Sequence, residues 1–260
     1  MRIGVFDSGL GGLSVLTAIR RRLPAADLDY VADSGHVPYG DKGEAFIRER
    51  SLRLARFLLE QGADVLVVAC NTATAAAVPA LRETLAVPVV GMEPAVKPAT
   101  LATRTSVVGV LATVGTLKSA RFAALLDRFG AGITVLTQAC PGLVEQVEAA
   151  ELDTPTTRAM VSGFVHPLLE GGADTLVLGC THFPFIRPAV EAAAGPGVTV
   201  IDTGEAVARQ VERVAEEAAG AAGEGRERFW TSGDPARLAG SLARLWGRDA
   251  VLRALPDALA

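Results

Sequence analysis

Residues 58–70 read LLEQGADVLVVAC, and residues 168–180, a constant 110 positions later, read LLEGGADTLVLGC, with nine of the thirteen positions identical. A repeat this close obliges the chain to be read as two related halves. Each copy has the same order: a helix end, a glycine at its cap, an Ala-Asp turn, a short uninterrupted apolar run, and a cysteine where that run stops. A weaker echo pairs Ile3-Gly4-Val5-Phe6 with Val108-Gly109-Val110-Leu111, so each half begins on its own strand.

Apolar runs at 3–6, 28–32, 65–69, 107–111 and 175–178 are bounded by Gly, Asp or polar residues and are predicted to be buried strands. Between them, 44–61 and 157–169 carry apolar residues at helical spacing. The alternation implies α/β architecture with parallel sheets covered on both faces. Such sheets bind ligands beyond the carboxyl ends of their strands, which is where both repeat cysteines stand. Two facing halves would therefore set Cys70 and Cys180 across one cleft.

Several function classes are excluded early. With 25 Lys and Arg against 29 Asp and Glu, a formal charge of -4, and scattered basic residues, nucleic acid is not an expected partner. No apolar run reaches bilayer length and the opening MRIGVFDSG lacks a signal-peptide pattern, so a soluble cytoplasmic protein with no membrane partner is expected. Three cysteines, Cys70, Cys140 and Cys180, are odd in number and far apart, which suits free thiols in a reducing compartment.

The chemistry must come from what surrounds the two thiols. Cys70 is followed by Asn71-Thr72-Ala73-Thr74 and Cys180 by Thr181-His182-Phe183-Pro184, donor groups that suit a carboxylate ligand or that cap a following helix. A lone cysteine at a strand end is commonly a small core residue, but the duplication puts the same reactive side chain at equivalent points of both halves. The loop Asp7-Ser8-Gly9-Leu10-Gly11-Gly12-Leu13-Ser14 is a Gly-rich turn able to aim backbone N–H groups at an anion, or simply a tight turn. Asp7 at its entrance disfavours phosphate and suits an ammonium group.

Metal binding is a poor fit, because no CxxC pair accompanies Cys180-Thr181-His182, and no metal is expected. A Cys180–His182 nucleophile is chemically reasonable yet gives Cys70 no role. Racemisation uses both: one thiolate removes a proton from one face of a carbon while the facing thiol returns one to the other. An unperturbed thiol near pKa 8.5 is a few per cent ionised at pH 7, a cost of about 2 kcal/mol. The larger barrier is carbon acidity, which donors from Ser8, Asn71, Thr72 and Thr181 would lower. The lysines, Lys42, Lys97 and Lys118, stand outside every marked position, so no pyridoxal phosphate or other cofactor is expected.

The ordered motifs DSGLGG, VPYG, ACNTAT, GMEPAVKPA, GVLAT, LGCTHFP and FWTSGD, spread from Asp7 to Asp234, together resemble the glutamate racemases of the aspartate/glutamate racemase superfamily. That resemblance implies Cys70 and Cys180 as the two bases, Asp7 as partner of the first thiol and His182 as partner of the second. It implies glutamate as substrate, held by Asp7, Ser8, Tyr39, Gly40, Asn71, Thr72, Thr181 and His182. An acidic residue after a Cys-Pro pair is implied to assist the second thiol. Cys140-Pro141 is followed by Glu145 and Glu148, and spacing favours Glu148.

The family's fold implies two pseudo-symmetric Rossmann-like or flavodoxin-like domains with mostly parallel sheets and the active site between them. The first would take residues 1–97 and a returning 208–260, the second 98–207. A homodimer supplying D-glutamate to peptidoglycan synthesis is implied as well. Two other readings stay open: a racemase for aspartate or another acidic amino acid, and a non-catalytic protein binding an anionic metabolite. His36 and His166 are expected at the surface or on a helix, and 219–228, rich in Ala, Gly and charge, as an exposed loop.

Overall fold

The computed structural model describes residues 1–218, 223–257 and 259. In chain order the strands are β1 (Arg2–Asp7), β2 (Asp27–Ala32), β3 (Val65–Val68), β4 (Val89–Val90), β5 (Val107–Ala112), β6 (Thr134–Ala139), β7 (Thr175–Leu178), β8 (Thr199–Ile201), β9 (Glu227–Thr231) and β10 (Leu252–Ala254). They form two sheets, one ordered β10-β9-β2-β1-β3-β4 and the other β6-β5-β7-β8. Every ladder is parallel, and the central strands β1, β3, β5 and β7 are the apolar, almost fully buried runs that such sheets contain.

The repeat is a repeat of geometry. The helices Glu44–Glu60 and Pro155–Glu170 end alike. In the first, Gly62 N–H donates to Leu59 O at 2.8 Å and Ala63 N–H to Leu58 O at 3.1 Å; in the second, Gly172 donates to Leu169 O at 2.8 Å and Ala173 to Leu168 O at 3.0 Å. These are paired Schellman closures, with φ of 89° at Gly62 and 91° at Gly172. The strands that follow lie against matching glycines: a Cβ on Gly4 would meet Leu58 and Leu66 side chains at 3.0 Å, and one on Gly109 would meet Leu168 at 2.9 Å and Leu176 at 2.7 Å. Leu58 and Leu66 are the repeat partners of Leu168 and Leu176, so both Ile/Val-Gly-Val strands owe their glycine to the same helix packing. Gly172→Ala is expected to lower stability by about 1–2 kcal/mol, because an L side chain is strained at that φ. Denaturant unfolding checks this, and an unchanged midpoint would show the closure to be dispensable.

The divisions after 97 and 207 both fall inside helices, Val96–Ala102 and Gly204–Glu217, the former packed on β5, β7 and β8 and the latter on the helix Leu13–Arg22. The stretch 219–228 divides: 219–222 lie outside the described residues, whereas Glu227 and Arg228 open β9, paired to β2 through Leu28↔Glu227 and Asp29↔Arg228. Charge suggested a loop there, but Arg228 grips buried Asp29 with bonds of 2.7 and 2.6 Å and its guanidinium lies over the Trp230 ring. His36 is half-buried, its Nδ1 3.3 Å from Asp33 Oδ1, while His166 is exposed on its helix. No described helix is long and apolar enough to cross a membrane.

Candidate active site

Carboxyl ends of both sheets meet over one narrow cavity. Its walls include Ser8, Tyr39, Gly40, Cys70, Asn71 and Thr72 from the six-stranded lobe, and Thr113, Thr116, Val144, Cys180, Thr181 and His182 from the four-stranded lobe. Two thiols on opposite lobes thus face the same small space. Each stands just past a parallel strand that burial holds rigid, Cys70 after β3 and Cys180 after β7.

The local structures after the two cysteines differ. Cys70 caps the helix Asn71–Thr84, its sulfur accepting from Ala73 N–H at 3.4 Å. Cys180 leads into a 3-10 turn at Phe183–Ile186, which brings His182 back beside it, Nδ1 to Sγ at 3.6 Å. The proton partners differ in consequence. On the Cys70 side, Sγ lies 3.9 Å from Ser8 Oγ, which donates to Asp7 Oδ1 at 3.2 Å. On the Cys180 side, the imidazole passes to a carboxylate, His182 Nε2 to Glu148 Oε1 at 2.6 Å. One thiol is backed by hydroxyl and carboxylate, the other by imidazole and carboxylate.

Burial governs the charges here. It pushes the Cys70 thiol well above its ordinary value, and the neighbouring Asp7 charge adds to the rise. It also raises the Asp7 carboxyl, offset in part by the charge of His182 and by the Cys70 contact. Burial alone would lower His182, but its hydrogen bonds to Cys180 and Glu148 hold it well above the usual imidazole range.

Of the expected residues, Ser8, Tyr39, Gly40, Cys70, Asn71, Thr72, Cys180, Thr181 and His182 all line the cavity. Asp7 and Glu148 stand behind the wall. Asp7 is fully buried and accepts from Ser8 N–H and Gly12 N–H, both at 2.7 Å, and from Thr181 Oγ1 at 3.3 Å across the lobes. Of the two glutamates after Pro141, Glu148 reaches His182, while Glu145 is exposed. Tyr39 gives its hydroxyl to Asp33 at 2.5 Å, so it is its ring and backbone that border the cavity.

Sequence reasoning missed Thr113 and Thr116. Their hydroxyls form a triangle with Thr72 across the lobes: Thr72 to Thr113 at 3.0 Å, Thr72 to Thr116 at 3.1 Å, and Thr113 to Thr116 at 3.1 Å. The GVLAT motif ends on Thr113, and its place beyond β5, the counterpart of β1 in the other half, was the available signal. Asn71 is the other finding, since its amide oxygen and nitrogen are both buried without a protein partner. Buried polar groups seldom go unmatched, so both atoms are available to a ligand. Cys140 is buried at the end of β6 but lines an adjoining recess with Pro141 and Glu145, and burial raises its thiol. Among the described residues, no three His, Cys, Asp or Glu side chains gather as a metal ion would require.

Comparisons with known proteins fit this arrangement. The sequence model of the family described as Asp/Glu/Hydantoin racemase matches residues 3–211. The chain is 58% identical over 257 residues to the glutamate racemase of Stutzerimonas stutzeri (strain A1501), covering 98% of this chain and 97% of that protein. Among solved structures, it superposes on Escherichia coli glutamate racemase in complex with L-glutamate and the activator UDP-MurNAc-ala with a TM-score of 0.89, at 34% identity and over 98% and 97% of the two chains. A glutamate racemase isoform of Bacillus anthracis gives 0.88 at 32% identity, over 98% and 97%.

Proposed function

Because this chain belongs to the Asp/Glu/hydantoin racemase family, we propose that it interconverts L- and D-glutamate by a two-base reaction, with Cys70 and Cys180 on opposite faces of the substrate and no cofactor. The observation that carries this reading is the pair of sulfurs lining one cavity from opposed lobes, each backed by its own proton relay. One sulfur, as thiolate, takes the α-proton; the electron pair left on carbon spreads into the carboxylate; the facing thiol then delivers its proton to the other side of the carbon. In the reverse direction the sulfurs exchange roles. Asp7, through Ser8, takes up or returns the Cys70 proton, and His182, steadied by Glu148, does the same for Cys180.

The unpartnered Asn71 amide and the Thr72, Thr113 and Thr116 hydroxyls supply donors for the substrate's carboxylates, where charge grows as the proton leaves. The Cys70 thiol begins disfavoured as a thiolate in so dry a site, so these donors must stabilise the carbanion in excess of that cost. Glutamate is preferred to aspartate on the names of the relatives, which are glutamate racemases at 58% identity and near-complete coverage.

The same reading extends to the cell. We assign the enzyme to the cytoplasm, acting as a homodimer and providing D-glutamate for peptidoglycan. The Escherichia coli relative's activator, UDP-MurNAc-ala, supports the link to wall precursors.

L-Glutamate and L-aspartate, each incubated with the purified protein in heavy water without added cofactor, test the proposal. Loss of optical activity with α-deuterium uptake is expected for glutamate, at a rate exceeding that for aspartate by roughly a hundredfold, the discrimination a pocket of fixed length supplies. Comparable turnover of both would make the chain a general acidic amino-acid racemase. Turnover of neither would return it to the class of binding proteins.

A further inference from the structure

The Gly-rich loop raises a question that the substrate does not answer. Three of its N–H groups are already engaged: Ser8 and Gly12 donate to Asp7, and Leu10 donates to Glu148 Oε1 at 2.6 Å. That last bond crosses between lobes, and its acceptor is the same oxygen that holds His182 Nε2. The two glycines flanking Leu10 are contact points for the same pair. A Cβ on Gly9 would collide with Glu148 Oε1, and a Cβ on Gly11 would collide with the His182 ring at Nδ1. Ser14, one residue into the following helix, has its hydroxyl 2.8 Å from the Thr181 carbonyl oxygen, between Cys180 and His182.

We propose that this loop is the positioning frame for the opposite lobe's proton relay: Gly9, Leu10 N–H, Gly11 and Ser14 of the first lobe hold Glu148, His182 and the Cys180 turn of the second. The inference rests on the two-thiol reading and deepens it. Cys180 and His182 travel with the four-stranded lobe, but the surface that fixes the imidazole's tilt belongs to the six-stranded one. The second thiol has its relay in working alignment only when the lobes are together, whereas Cys70, Ser8 and Asp7 all belong to the first lobe and touch the second through the longer Thr181 Oγ1–Asp7 bond of 3.3 Å. Closure over the substrate is thereby coupled to assembly of one base and not of the other. Tyr30 braces the frame from within, its buried hydroxyl donating to Gly9 O at 2.6 Å.

The experiment needs a readout that separates the two sides. Glutamate enantiomers carrying chlorine on Cβ provide it, because one thiolate suffices: it takes the α-proton, the freed electron pair forms the Cα–Cβ double bond, and chloride leaves. Cys70→Ala and Cys180→Ala set the reference, each expected to abolish elimination from one enantiomer and spare the other. Against that reference, Gly11→Ala should lower elimination from the Cys180-dependent enantiomer roughly a hundredfold, the scale of a catalytic group displaced by about 1 Å. The Cys70-dependent enantiomer should change less than about threefold.

Ser14→Ala, which removes only a hydroxyl and threatens the fold far less, should show the same one-sidedness at about tenfold or below, as loss of one positioning hydrogen bond would give. Equal losses for both enantiomers in Gly11→Ala and Ser14→Ala, or no loss in either variant, overturn the positioning frame while the two-thiol reading stands. Reference variants that fail to be one-sided overturn the two-thiol reading itself.

Discussion

Cys180→Ala and Cys70→Ala are each expected to reduce racemisation of glutamate by roughly a thousandfold, within the range that a positioned acid or base contributes. The expectation follows from the division of labour in the cavity. A proton removed from one face must be replaced from the other, and no side chain among the described lining residues duplicates either sulfur: Ser8, Thr72, Thr113, Thr116 and Thr181 are hydroxyls and Asn71 is an amide. The only imidazole, His182, sits on the Cys180 side with both nitrogens engaged, Nδ1 by the sulfur and Nε2 by Glu148. Water cannot easily substitute in so narrow a space. Cys140→Ala is the internal control, expected at near the parent rate, since that thiol is buried one strand away outside the cavity wall. Optical rotation with time, for all three variants beside the parent, decides it. Parent-like turnover in Cys70→Ala or Cys180→Ala would remove that thiol from the reaction.

Arg50→Ala is expected to cost about 3–5 kcal/mol of folding stability, the usual consequence of leaving a buried carboxylate without its cation. Asp33 is fully buried, and Arg50, itself buried, meets it through Nε at 3.0 Å and Nη2 at 2.5 Å, with Nη2 also donating to the Leu259 carbonyl at 2.7 Å. Burial by itself would raise the Asp33 carboxyl, yet hydrogen bonds from Arg50, Ser232 and Tyr39 hold it below its ordinary value. A depressed folded value means that the group's contribution is present above the unfolded value of 3.8 and is lost as pH falls through the folded one.

In Arg50→Ala the unpaired carboxyl is cheapest when protonated. The stability gap between parent and variant should therefore be widest near neutrality and narrow as the medium is made acid. Denaturant unfolding at a series of pH values measures it, and a gap that stayed constant through pH 4 would remove Asp33 from the explanation. Activity should fall too, because Tyr39, which borders the cavity, is tied to the same carboxylate.

What could be read from the sequence and what could not divides along one physical line. Features written into neighbours along the chain were legible: the repeated helix cap, the strand after it and the cysteine at its end are one local unit, and Leu58–Gly62–Cys70 and Leu168–Gly172–Cys180 fold as twins because their nearest contacts are the same. Contacts between units left little trace. Thr113 and Thr116 have nothing in their flanks to announce that they close a triangle with Thr72 from the other lobe. The glycines at 9 and 11 looked like a turn or an anion cradle, and only the opposing Glu148 and His182 explain why side chains are missing there. At Glu227 and Arg228, composition pointed to a loop because the acidic strand partner, Asp29, lies 199 positions away.

That separation has a consequence for biosynthesis. The six-stranded sheet cannot be completed while the chain is being made in order, because β9, which covers the edge of β2, and β10, which pairs with β9, emerge only after the whole four-stranded lobe has been translated. Until then a nascent chain carries an open strand edge at β2 and an aspartate, Asp29, still waiting for its arginine, the kind of surface that recruits chaperones or associates wrongly. Ribosome pausing, growth temperature and chaperone supply should therefore govern the yield of this protein more strongly than its finished stability would suggest.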